Sequence, residues 1–304
     1  MCAALDLGIG AVLYPFMLRR VAAEERYSDI TGPLIGYSGA FGWNLPTDAA
    51  GRFWALFNEW TGRQNIVSSF ARLSLFPEDL VPFDGRIRIV QPNVVRDLQV
   101  SDDDLWKDVE HKVRKNVIRA RSAKVTVEVD LRCEQIDLFQ DIYAETMRRR
   151  GAEHRYFLDA DFFSGLIGAL GSSIQLYVAR VGTSGVATEL VLTSTHHAYS
   201  FLGGTRASAF NCRPNDLLKY EIIRHLRDQG LRHFVLGGGP SPGDEVFRYK
   251  RSFAPGGVVD FKVGEKIHDP AAYEYLVRQR VDDASAEGTS RQRDSSFFPA
   301  YRAV

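Results

Sequence analysis

Residues 230–253 read Gly230-Leu-Arg-His-Phe-Val-Leu-Gly-Gly-Gly-Pro-Ser-Pro-Gly-Asp-Glu-Val-Phe-Arg-Tyr-Lys-Arg-Ser-Phe253. The β-prone run His233–Leu236 predicts a short strand, which ends at three consecutive glycines. Glycine adopts positive φ and lets the backbone approach a ligand closely. Lys250 follows between two aromatic residues and supplies a fixed positive charge near that backbone. The stretch predicts a glycine turn beside a functional lysine; an ordinary turn followed by a surface lysine is the alternative.

Length and composition indicate a globular protein with room for two domains. The chain has 304 residues, of which 45% are hydrophobic and 25% are charged. Lys plus Arg and Asp plus Glu number 38 each, so there is no bulk charge for binding a polyanion. Any contact with nucleic acid is therefore expected to come from a local basic patch.

The three cysteines, Cys2, Cys133 and Cys212, are widely spaced and odd in number. This pattern does not predict a disulfide framework and is typical of a reducing, cytoplasmic compartment. No clustered Cys/His motif predicts a metal site. The apolar segment 3–18 is too short to span a bilayer and is predicted to be a buried strand, with residues 11–21 forming a core strand.

A glycine-rich segment occupies residues 27–43, with glycine at 32, 36, 39 and 42 and aromatic residues between. It is either a buried connection or a binding wall of backbone and rings, to which Tyr37 would contribute. Asp29 is a candidate for accepting a proton or binding an amine. A turn aspartate that bonds its own backbone explains it as well.

A long helix is predicted from Ser101 to about Ala123, because Ser101 and three following aspartates suit its start. Its later part is basic and includes Arg114, Lys115 and Arg119. A solvated helix face is one interpretation, and contact with a phosphate-bearing ligand is the other.

Five stretches of this chain, taken in order, resemble a known family. They are Asp29-Ile-Thr-Gly-Pro-Leu-Ile-Gly-Tyr-Ser-Gly39, Arg114-Lys-Asn-Val-Ile-Arg-Ala120, Tyr143-Ala-Glu-Thr-Met-Arg-Arg149, Pro214-Asn-Asp-Leu-Leu218 and Leu236-Gly-Gly-Gly239 through Phe253. The order of helices and strands over residues 134–263 resembles a GNAT-type acyltransferase fold. Together the stretches resemble the double-GNAT FemABX group, whose members transfer amino acids from aminoacyl-tRNA to amines of peptide-like acceptors.

This resemblance implies an α/β (α+β) fold of two tandem GNAT-like subdomains with mixed, mostly antiparallel sheets flanked by helices. We expect an N-terminal subdomain at 1–130, lacking the strand and helix that usually precede it, and a C-terminal subdomain at 131–285. Residues 286–304 are expected to be a tail that docks back on the body, since residues 297–301 are rich in aromatic side chains.

The turn that follows residue 205 is informative about the donor. Acyl-CoA GNATs place an Arg/Gln-x-x-Gly-x-Gly/Ala turn before a helix, where backbone N–H groups cradle the pyrophosphate. Here the turn reads Arg206-Ala-Ser-Ala-Phe-Asn-Cys-Arg-Pro-Asn215, without those glycines. The coenzyme A signature is absent, as it also is in FemABX relatives.

The resemblance implies an amide-forming aminoacyltransferase that uses aminoacyl-tRNA as donor substrate and has no further cofactor. The acceptor would be a small peptide-like amine, either a natural-product intermediate or a peptidoglycan precursor, and the enzyme a monomer without a membrane span. Lys250 matches the family lysine that stabilises an oxyanion or phosphate, with Asp29 as a second catalytic candidate. Candidate substrate-binding residues are Tyr37, Arg149, Tyr156, Tyr199, Gly237, Gly238, Gly239 and Tyr249, and tRNA-phosphate candidates are Arg114, Lys115, Arg119 and Arg206.

Two other functions remain open at this point. One is an N-acyltransferase that uses acyl-CoA or another thioester, and the other is a non-catalytic GNAT-like module that binds a peptide or a nucleotide-linked ligand. Core packing explains the tyrosines almost as well as substrate binding does. The arginines at the end of the helix around Arg149 also suit a helix C-terminus without any ligand.

Overall fold

A computed structural model describes residues 1–33, 36–241, 243–286 and 297–303 of the chain. Contacts between residues divide this part of the chain into two compact units. Unit 1 comprises Met1–Gln91 and the described residues from Asp260 onward, and unit 2 comprises Pro92–Val259.

In the described part of the chain, runs of one to five strands are separated by helices. In chain order the strands are β1 (Cys2–Asp6), β2 (Ala11–Pro15), β3 (Met17–Arg20), β4 (Ser28–Thr31), β5 (Phe41–Trp43), β6 (Ile66–Arg72), β7 (Arg86–Asp97), β8 (Val125–Asp130), β9 (Ile174–Val181), β10 (Ser184–Thr193), β11 (His197–Thr205), β12 (His233–Gly237) and β13 (Val258–Ile267). The α-helices are α1 (Ala49–Arg63), α2 (Asp102–Asp108), α3 (His111–Ser122), α4 (Ile136–Arg150), α5 (Ala160–Leu170), α6 (Pro214–Asp228), α7 (Glu245–Arg251) and α8 (Pro270–Ala286).

Unit 1 contains one three-stranded sheet and the first strands of a larger one. Strands β1, β2 and β5 form an antiparallel sheet, and β3, β4, β6 and β13 follow one another in the larger sheet, where the described ladders are antiparallel for β3–β4 and β6–β13 and parallel for β4–β6. Tyr14 of β2 packs edge-on against Trp54 and Phe57 of α1. The buried face of α1, which carries Phe53, Trp54 and Phe57, therefore covers the first sheet.

Unit 2 is built on the strand order β7-β12-β11-β10-β9-β8, with helices on both faces. Strand β9 shows why both faces are covered, since Tyr177 and Ala179 belong to the cluster formed with α3 and α6. Leu176 and Val178 alternate with them and pack with α4 and α5 on the opposite face. Only β11 and β12 run parallel in the described ladders of this unit.

The predicted fold class is confirmed: the structure is a mixed, mostly antiparallel α/β fold flanked by helices. Two local predictions are wrong. The segment 3–18 is a hairpin, because Gly8 at φ +81° turns β1 into β2, rather than one strand. The helix predicted for 101–123 is interrupted at Val109 and Glu110, where the Glu110 N–H donates to the Ser252 carbonyl oxygen.

The two units are defined by contacts, and the predicted GNAT-like subdomains at 1–130 and 131–285 stay a prediction. Unit 1 resumes at Asp260 because β13 pairs with β6. In the predicted tail 286–304, residues 287–296 and Val304 lie outside the described residues. Tyr301 is buried against Leu276 of α8, and its hydroxyl lies 2.8 Å from the Ser68 hydroxyl.

Candidate functional site

Strands β11 and β12 separate inside unit 2. Among the described residues, their parallel ladder joins only three pairs, from His197–His233 to Tyr199–Val235. Beyond these pairs β11 continues beside β10, whereas β12 ends at Gly237 beside Val94 of β7. The end of β12 is therefore no longer paired with β11 where the glycine turn begins.

The glycine turn and Lys250 meet at this point. Lys250, near the end of α7, donates a hydrogen bond from Nζ to the Gly238 carbonyl oxygen across 2.6 Å. Gly237 has φ +79°, and a Cβ there would lie 3.4 Å from the same Nζ. A Cβ at Gly239 would lie 2.1 Å from Oδ1 of Asp244. The turn therefore needs glycine for its backbone conformation and for close packing.

Asp244 fixes the start of α7. Its Oδ1 accepts from the Phe247 N–H at 2.7 Å, and its Oδ2 accepts from the Ser241 N–H at 2.9 Å. This N-cap sets the direction of the helix and so of Lys250, almost two turns further on. The sequence did not indicate α7, and the Asp-x-x-Phe start of the helix is the local signal that was missed.

Burial, followed by the positive charge of Lys219, lowers the pKa of Lys250 from its ordinary value to about 8. Glu189 and Asp244 act in the opposite direction. The Lys250 amine is thus an ammonium near neutral pH that releases its proton readily. Such a group can stabilise negative charge and can also transfer a proton.

Lys219 and Glu189 form a buried ion pair that sequence reasoning missed. Lys219 of α6 bonds to Glu189 of β10 and to Ser200 of β11, the latter across 3.0 Å. Lys219 shares a face of α6 with Ile222. A lysine on the apolar face of a helix is the signal that could have identified it.

Tyr249 lies on the same helix as Lys250, but its hydroxyl is used within the fold. It donates to the Asn215 carbonyl oxygen at the start of α6, across 3.1 Å, and its ring packs edge-on against Phe253. Burial, followed by the charges of Asp216 and Glu189, raises the pKa of Tyr249. The ring remains a candidate contact, while the hydroxyl is engaged in positioning α7.

Two predicted ligand residues, Arg149 and Arg206, come together on Glu145 of α4. Arg206 Nη1 donates to Glu145 Oε2 at 3.0 Å, and Arg149 Nη1 lies 3.7 Å from Oε1. The Ala207 N–H also donates to this carboxylate, at 3.1 Å. The Ala207 N–H and then the Arg206 guanidinium lower the pKa of Glu145. Arg149 also lies over the Phe210 ring, 4.9 Å from its centroid.

In the turn ahead of α6, a carboxylate therefore already occupies a backbone N–H group that could otherwise bind an anion. Residues Ala207–Cys212 form a 3-10 helix, and the carboxylate of Glu145 occupies its first N–H group. An anion cradle needs free backbone N–H groups and no competing negative charge. This arrangement does not suit a pyrophosphate.

The three residues of α3 that were predicted to bind phosphate differ in their surroundings. Arg114 Nη1 donates to the carbonyl oxygens of Trp106 and Lys107, at 3.3 and 2.8 Å, and to that of Val109. Arg114 thus closes the end of α2, and a role in phosphate binding is not supported. Lys115 and Arg119 are exposed on α3 and remain phosphate candidates.

Each of the remaining tyrosine candidates has contacts within its own unit. Tyr37, in unit 1, packs edge-on against Phe261 at 5.7 Å. The carbonyl oxygen of Tyr156 accepts from the Tyr143 hydroxyl, and the Arg155 guanidinium lies over the Tyr156 ring. Tyr199 lies in the paired part of β11. None of these contacts joins a tyrosine to Lys250, so all three remain predictions.

Asp29 is buried in unit 1 and anchors the structure there. Its Oδ1 accepts from Arg19 Nε at 2.8 Å, and its Oδ2 is bonded by Arg302 and by the Tyr301 hydroxyl, the latter across 3.3 Å. Only 1% of its side chain is exposed. Because both carboxylate oxygens of this buried side chain are bonded within the fold, Asp29 has a structural role, and its predicted catalytic role stays a prediction.

One family model and several solved structures are similar to this chain. Residues 107–251, all within unit 2, match a family model described as an acetyltransferase (GNAT) domain. No curated protein matches the chain. A crystal structure of FemX is similar with a TM-score of 0.69, 12% identity and 90% of each chain covered.

Two other solved structures are similar to this chain. The C-terminal domain of a protein described as a lysylphosphatidylglycerol synthetase, from Agrobacterium fabrum, has a TM-score of 0.58, 15% identity, and covers 95% of this chain and 90% of its own. L-PGS from Bacillus licheniformis has a TM-score of 0.57 at 12% identity and covers 88% of this chain and 85% of its own. At such identities the likeness establishes the fold, which is a GNAT fold consistent with a tandem arrangement.

Within the described part of the chain, no helix combines the length and the apolarity that a bilayer span requires. The described histidine, cysteine and acidic side chains form no group of three or more suited to a metal ion.

Proposed function

We propose that this protein is an aminoacyltransferase that moves an amino acid from aminoacyl-tRNA to the amine of a small peptide-like acceptor. The GNAT domain and the FemX-like fold support an acyltransferase. The observation that carries the choice of donor is the turn ahead of α6, where Glu145 occupies the Ala207 N–H. A carboxylate at this position disfavours the pyrophosphate of coenzyme A.

The reaction needs little beyond positioning, because an aminoacyl ester is already activated. The lone pair of the neutral acceptor amine forms a C–N bond at the ester carbonyl carbon, and the carbonyl π electrons move to oxygen. Collapse of this tetrahedral intermediate breaks the bond to the ribose oxygen, which takes up one proton and leaves as a hydroxyl, while the amine nitrogen loses one proton and becomes the amide. Lys250, held on Gly238, is the group that donates to the developing negative charge.

The donor RNA would contact exposed positive charge. Lys115 and Arg119 on α3 are the exposed candidates. Arg206 and Arg149 lie at the Glu145 carboxylate, so they would contact RNA only through the N–H groups that do not bond to Glu145. The acceptor is proposed to be a natural-product intermediate or a peptidoglycan precursor. Its carboxylate or phosphate would suit an arginine such as Arg149.

A transfer assay tests the proposal. The donor is total tRNA charged with radiolabelled amino acids, and the acceptor is a cell extract that contains small amines. We expect a labelled product that disappears after ribonuclease treatment and in Lys250→Ala. Transfer that survives ribonuclease would reject the tRNA route. Mass spectrometry of intermediates that accumulate after gene deletion would name the acceptor and the added residue by their mass difference.

A second candidate, an acyl-CoA-dependent N-acyltransferase, is favoured by the description of the matching family as acetyltransferases. Isothermal titration with acetyl-CoA separates the two. Binding at micromolar concentrations, together with ribonuclease-resistant transfer, would support the second candidate. Ligand binding without transfer from any donor would instead support a non-catalytic module.

A further inference from the structure

Unit 2 contains a cavity of about 320 Å³ whose walls are the end of β7, one side of α2 and the turn 254–257 that follows α7. This turn is held on β7, because the Val95 N–H donates to the Gly257 carbonyl oxygen at 2.8 Å and the Gly257 N–H donates to the Ala254 carbonyl oxygen at 3.0 Å. None of the lining residues has a part in the proposed transfer. The volume is enough for a small organic molecule.

Arg96 lines this cavity and brings a buried positive charge to it, since only 4% of its side chain is exposed. Its Nε donates to the Asp97 carbonyl oxygen at 3.0 Å, and its Nη1 bonds to Asp108 and lies 3.5 Å from the Phe253 carbonyl oxygen. Nη2 donates to no atom of the described residues, yet it is not one of their fully buried atoms without a partner, so solvent reaches it. Because a guanidinium has donors only, the occupant of the cavity must offer an acceptor to Nη2.

Three carboxylates line the same cavity. Asp108 is paired with Arg96, whereas Asp97 and Asp104 form no ion pair with any described residue. The hydrogen bonds that Asp97 and Asp104 accept within the described part of the chain use only Oδ1 of the former and Oδ2 of the latter. One arginine and three aspartates leave the lining with excess negative charge. The occupant is therefore expected to carry a positive charge as well as an acceptor.

The acceptor and the positive charge must lie close together in the ligand. Asp104 and Asp108 are one turn apart on α2, which separates their Cβ atoms by about 5–6 Å, and Asp108 is bonded to Arg96. Asp97 directly follows Arg96 in β7. An α-ammonium group and the carbonyl of its own residue have this arrangement. A free amino acid is less suitable, because its carboxylate would add negative charge to a negative site.

We propose that this cavity binds the α-ammonium and the first carbonyl group of a peptide or an amino acid amide, with the carbonyl oxygen on Arg96 Nη2 and the ammonium on Asp97 and Asp104. The proposal concerns binding and does not rest on aminoacyl transfer. Two carboxylates favour the ammonium form of an amine, whereas transfer needs a neutral amine as nucleophile. The bound amine is therefore not the one that reacts.

Nuclear magnetic resonance titration of the isotope-labelled full chain with L-alaninamide tests the proposal. The backbone N–H signals of Gly256 and Gly257, which line the cavity, should shift and saturate. N-acetyl-L-alaninamide lacks the ammonium and ethylamine lacks the carbonyl, so each should bind about tenfold more weakly, as expected for the loss of a hydrogen bond to a charged group. L-alanine should also bind more weakly. No shift with L-alaninamide, or equal affinity for any of the other compounds, would overturn the proposal.

Matched variants distinguish a site from a general attraction of cations. Asp104→Asn should weaken L-alaninamide binding about tenfold. Asp103→Asn removes the same charge from an exposed neighbour that does not line the cavity and should bind like the wild type. Equal weakening in both variants would show that only long-range charge acts, and would overturn the site.

The contact to Arg96 has its own test. Arg96→Lys keeps the positive charge but lacks Nη2, so the preference for L-alaninamide over ethylamine should disappear. A preference that remains would overturn the assignment of the carbonyl to Arg96. Circular dichroism checks folding, and if Arg96→Lys does not fold, the comparison of Asp104→Asn with Asp103→Asn at exposed positions decides.

The same titration of Lys250→Met separates this cavity from the proposed transfer site. Lys250 does not line the cavity, so binding of L-alaninamide should be unchanged. A loss of the shifts in this variant would place the ligand at Lys250 and overturn the proposal. If L-alaninamide binds as expected but charged tRNA supports no transfer, the proposed function fails while the assignment of the cavity stands.

Discussion

The Nζ of Lys250 lies 2.6 Å from the carbonyl oxygen of Gly238, so the end of α7 is bonded to the turn that ends β12. Twelve residues separate the two in sequence. The bond places the amine of Lys250 where β11 and β12 are no longer paired, and it keeps that amine from moving freely on its four-carbon stem. A preorganised donor costs little reorganisation when negative charge develops next to it.

Replacing Lys250 with methionine should therefore abolish most transfer while leaving the fold intact. Loss of one oxyanion donor typically lowers kcat by about 10²–10³, and we expect a loss in this range from initial rates with labelled aminoacyl-tRNA. Lys262→Met removes an exposed lysine and is the matched control. Turnover of Lys250→Met within twofold of the wild type would show that Lys250 does not act on the transition state.

The same substitution should stabilise the protein at neutral pH. The folded-state pKa of Lys250 is lowered from 10.5 to about 8, so the folded protein bears the full cost of the buried charge below pH 8. This cost is relieved as the pH rises from 8 to 10.5, where the unfolded chain binds more protons than the folded one. Lys250→Met should gain about 1–3 kcal/mol in urea unfolding at pH 7, and the gain should shrink at pH 9.5. An equal gain at both pH values would argue against a depressed pKa.

His268 should make unit 1 sensitive to acid. Its Nε2 lies 2.7 Å from Ser69 Oγ and its Nδ1 lies 3.2 Å from Thr61 Oγ1, whose own hydrogen is donated to the Asn58 carbonyl oxygen. Burial, followed by the charge of Lys266, lowers the pKa of His268 from 6.5 to about 4. The pattern fits a neutral ring that donates from Nδ1.

The stability contributed by neutral His268 is complete above pH 6.5 and is lost as the pH falls toward 4, because the unfolded chain then binds the extra proton. The slope from this group reaches about 1.4 kcal/mol per pH unit. Urea unfolding between pH 7 and 4 should show a smaller slope in His268→Gln than in the wild type. His154→Gln, at an exposed histidine, is the control and should keep the wild-type slope.

Asp29→Asn should destabilise the protein without changing the turnover of each folded molecule. The substitution leaves Arg19 and Arg302 facing a neutral amide in a buried site, which should cost about 2–4 kcal/mol in chemical unfolding. Asp141→Asn on the exposed side of α4 should cost less than about 0.5 kcal/mol. A stable Asp29→Asn variant with strongly reduced kcat would restore Asp29 as a catalytic candidate.

Lys115 and Arg119 should contribute to RNA binding through charge alone. Replacing both with alanine should weaken tRNA binding and reduce the slope of log K against log salt by about 1.4, since each phosphate contact to a single strand contributes about 0.7. Filter binding between 50 and 300 mM KCl would be the measurement. The double replacement of Arg52 and Arg63 on α1 removes the same charge and is the control. An unchanged slope in the α3 variant would remove these residues from the RNA surface.

The sequence predicted much of the local structure because its signals are local. The β-prone run His233–Leu236 is a signal confined to four residues, and the structure has a strand there, β12 at His233–Gly237. The helix expected from 101 to 123 failed for a non-local reason. Arg114 closes α2 and Ser252, far along the chain, accepts the Glu110 N–H, so two short helices replace one.

The candidate site likewise combines features that follow from the local sequence with features that depend on contacts between distant residues. The sequence alone predicted a glycine turn after a strand, with Lys250 beyond it. This was possible because positive φ and close backbone approach require glycine wherever the chain turns in this way. The sequence alone did not predict which charged side chains affect Lys250. Glu189 and Lys219 are 30 residues apart, and Glu145 and Ala207 are 62 residues apart, so their pairing depends on how strands and helices pack.

The sequence by itself therefore determined the strand, the turn and the lysine, since these follow from backbone sterics and periodicity over a few residues. Only the tertiary structure decided which charges surround the lysine, that Glu145 closes the turn ahead of α6, and that Asp29 serves as an anchor. The physical reason is that an ion pair needs two side chains within a few ångströms, and chain separation of tens of residues leaves that distance undetermined until the core is packed.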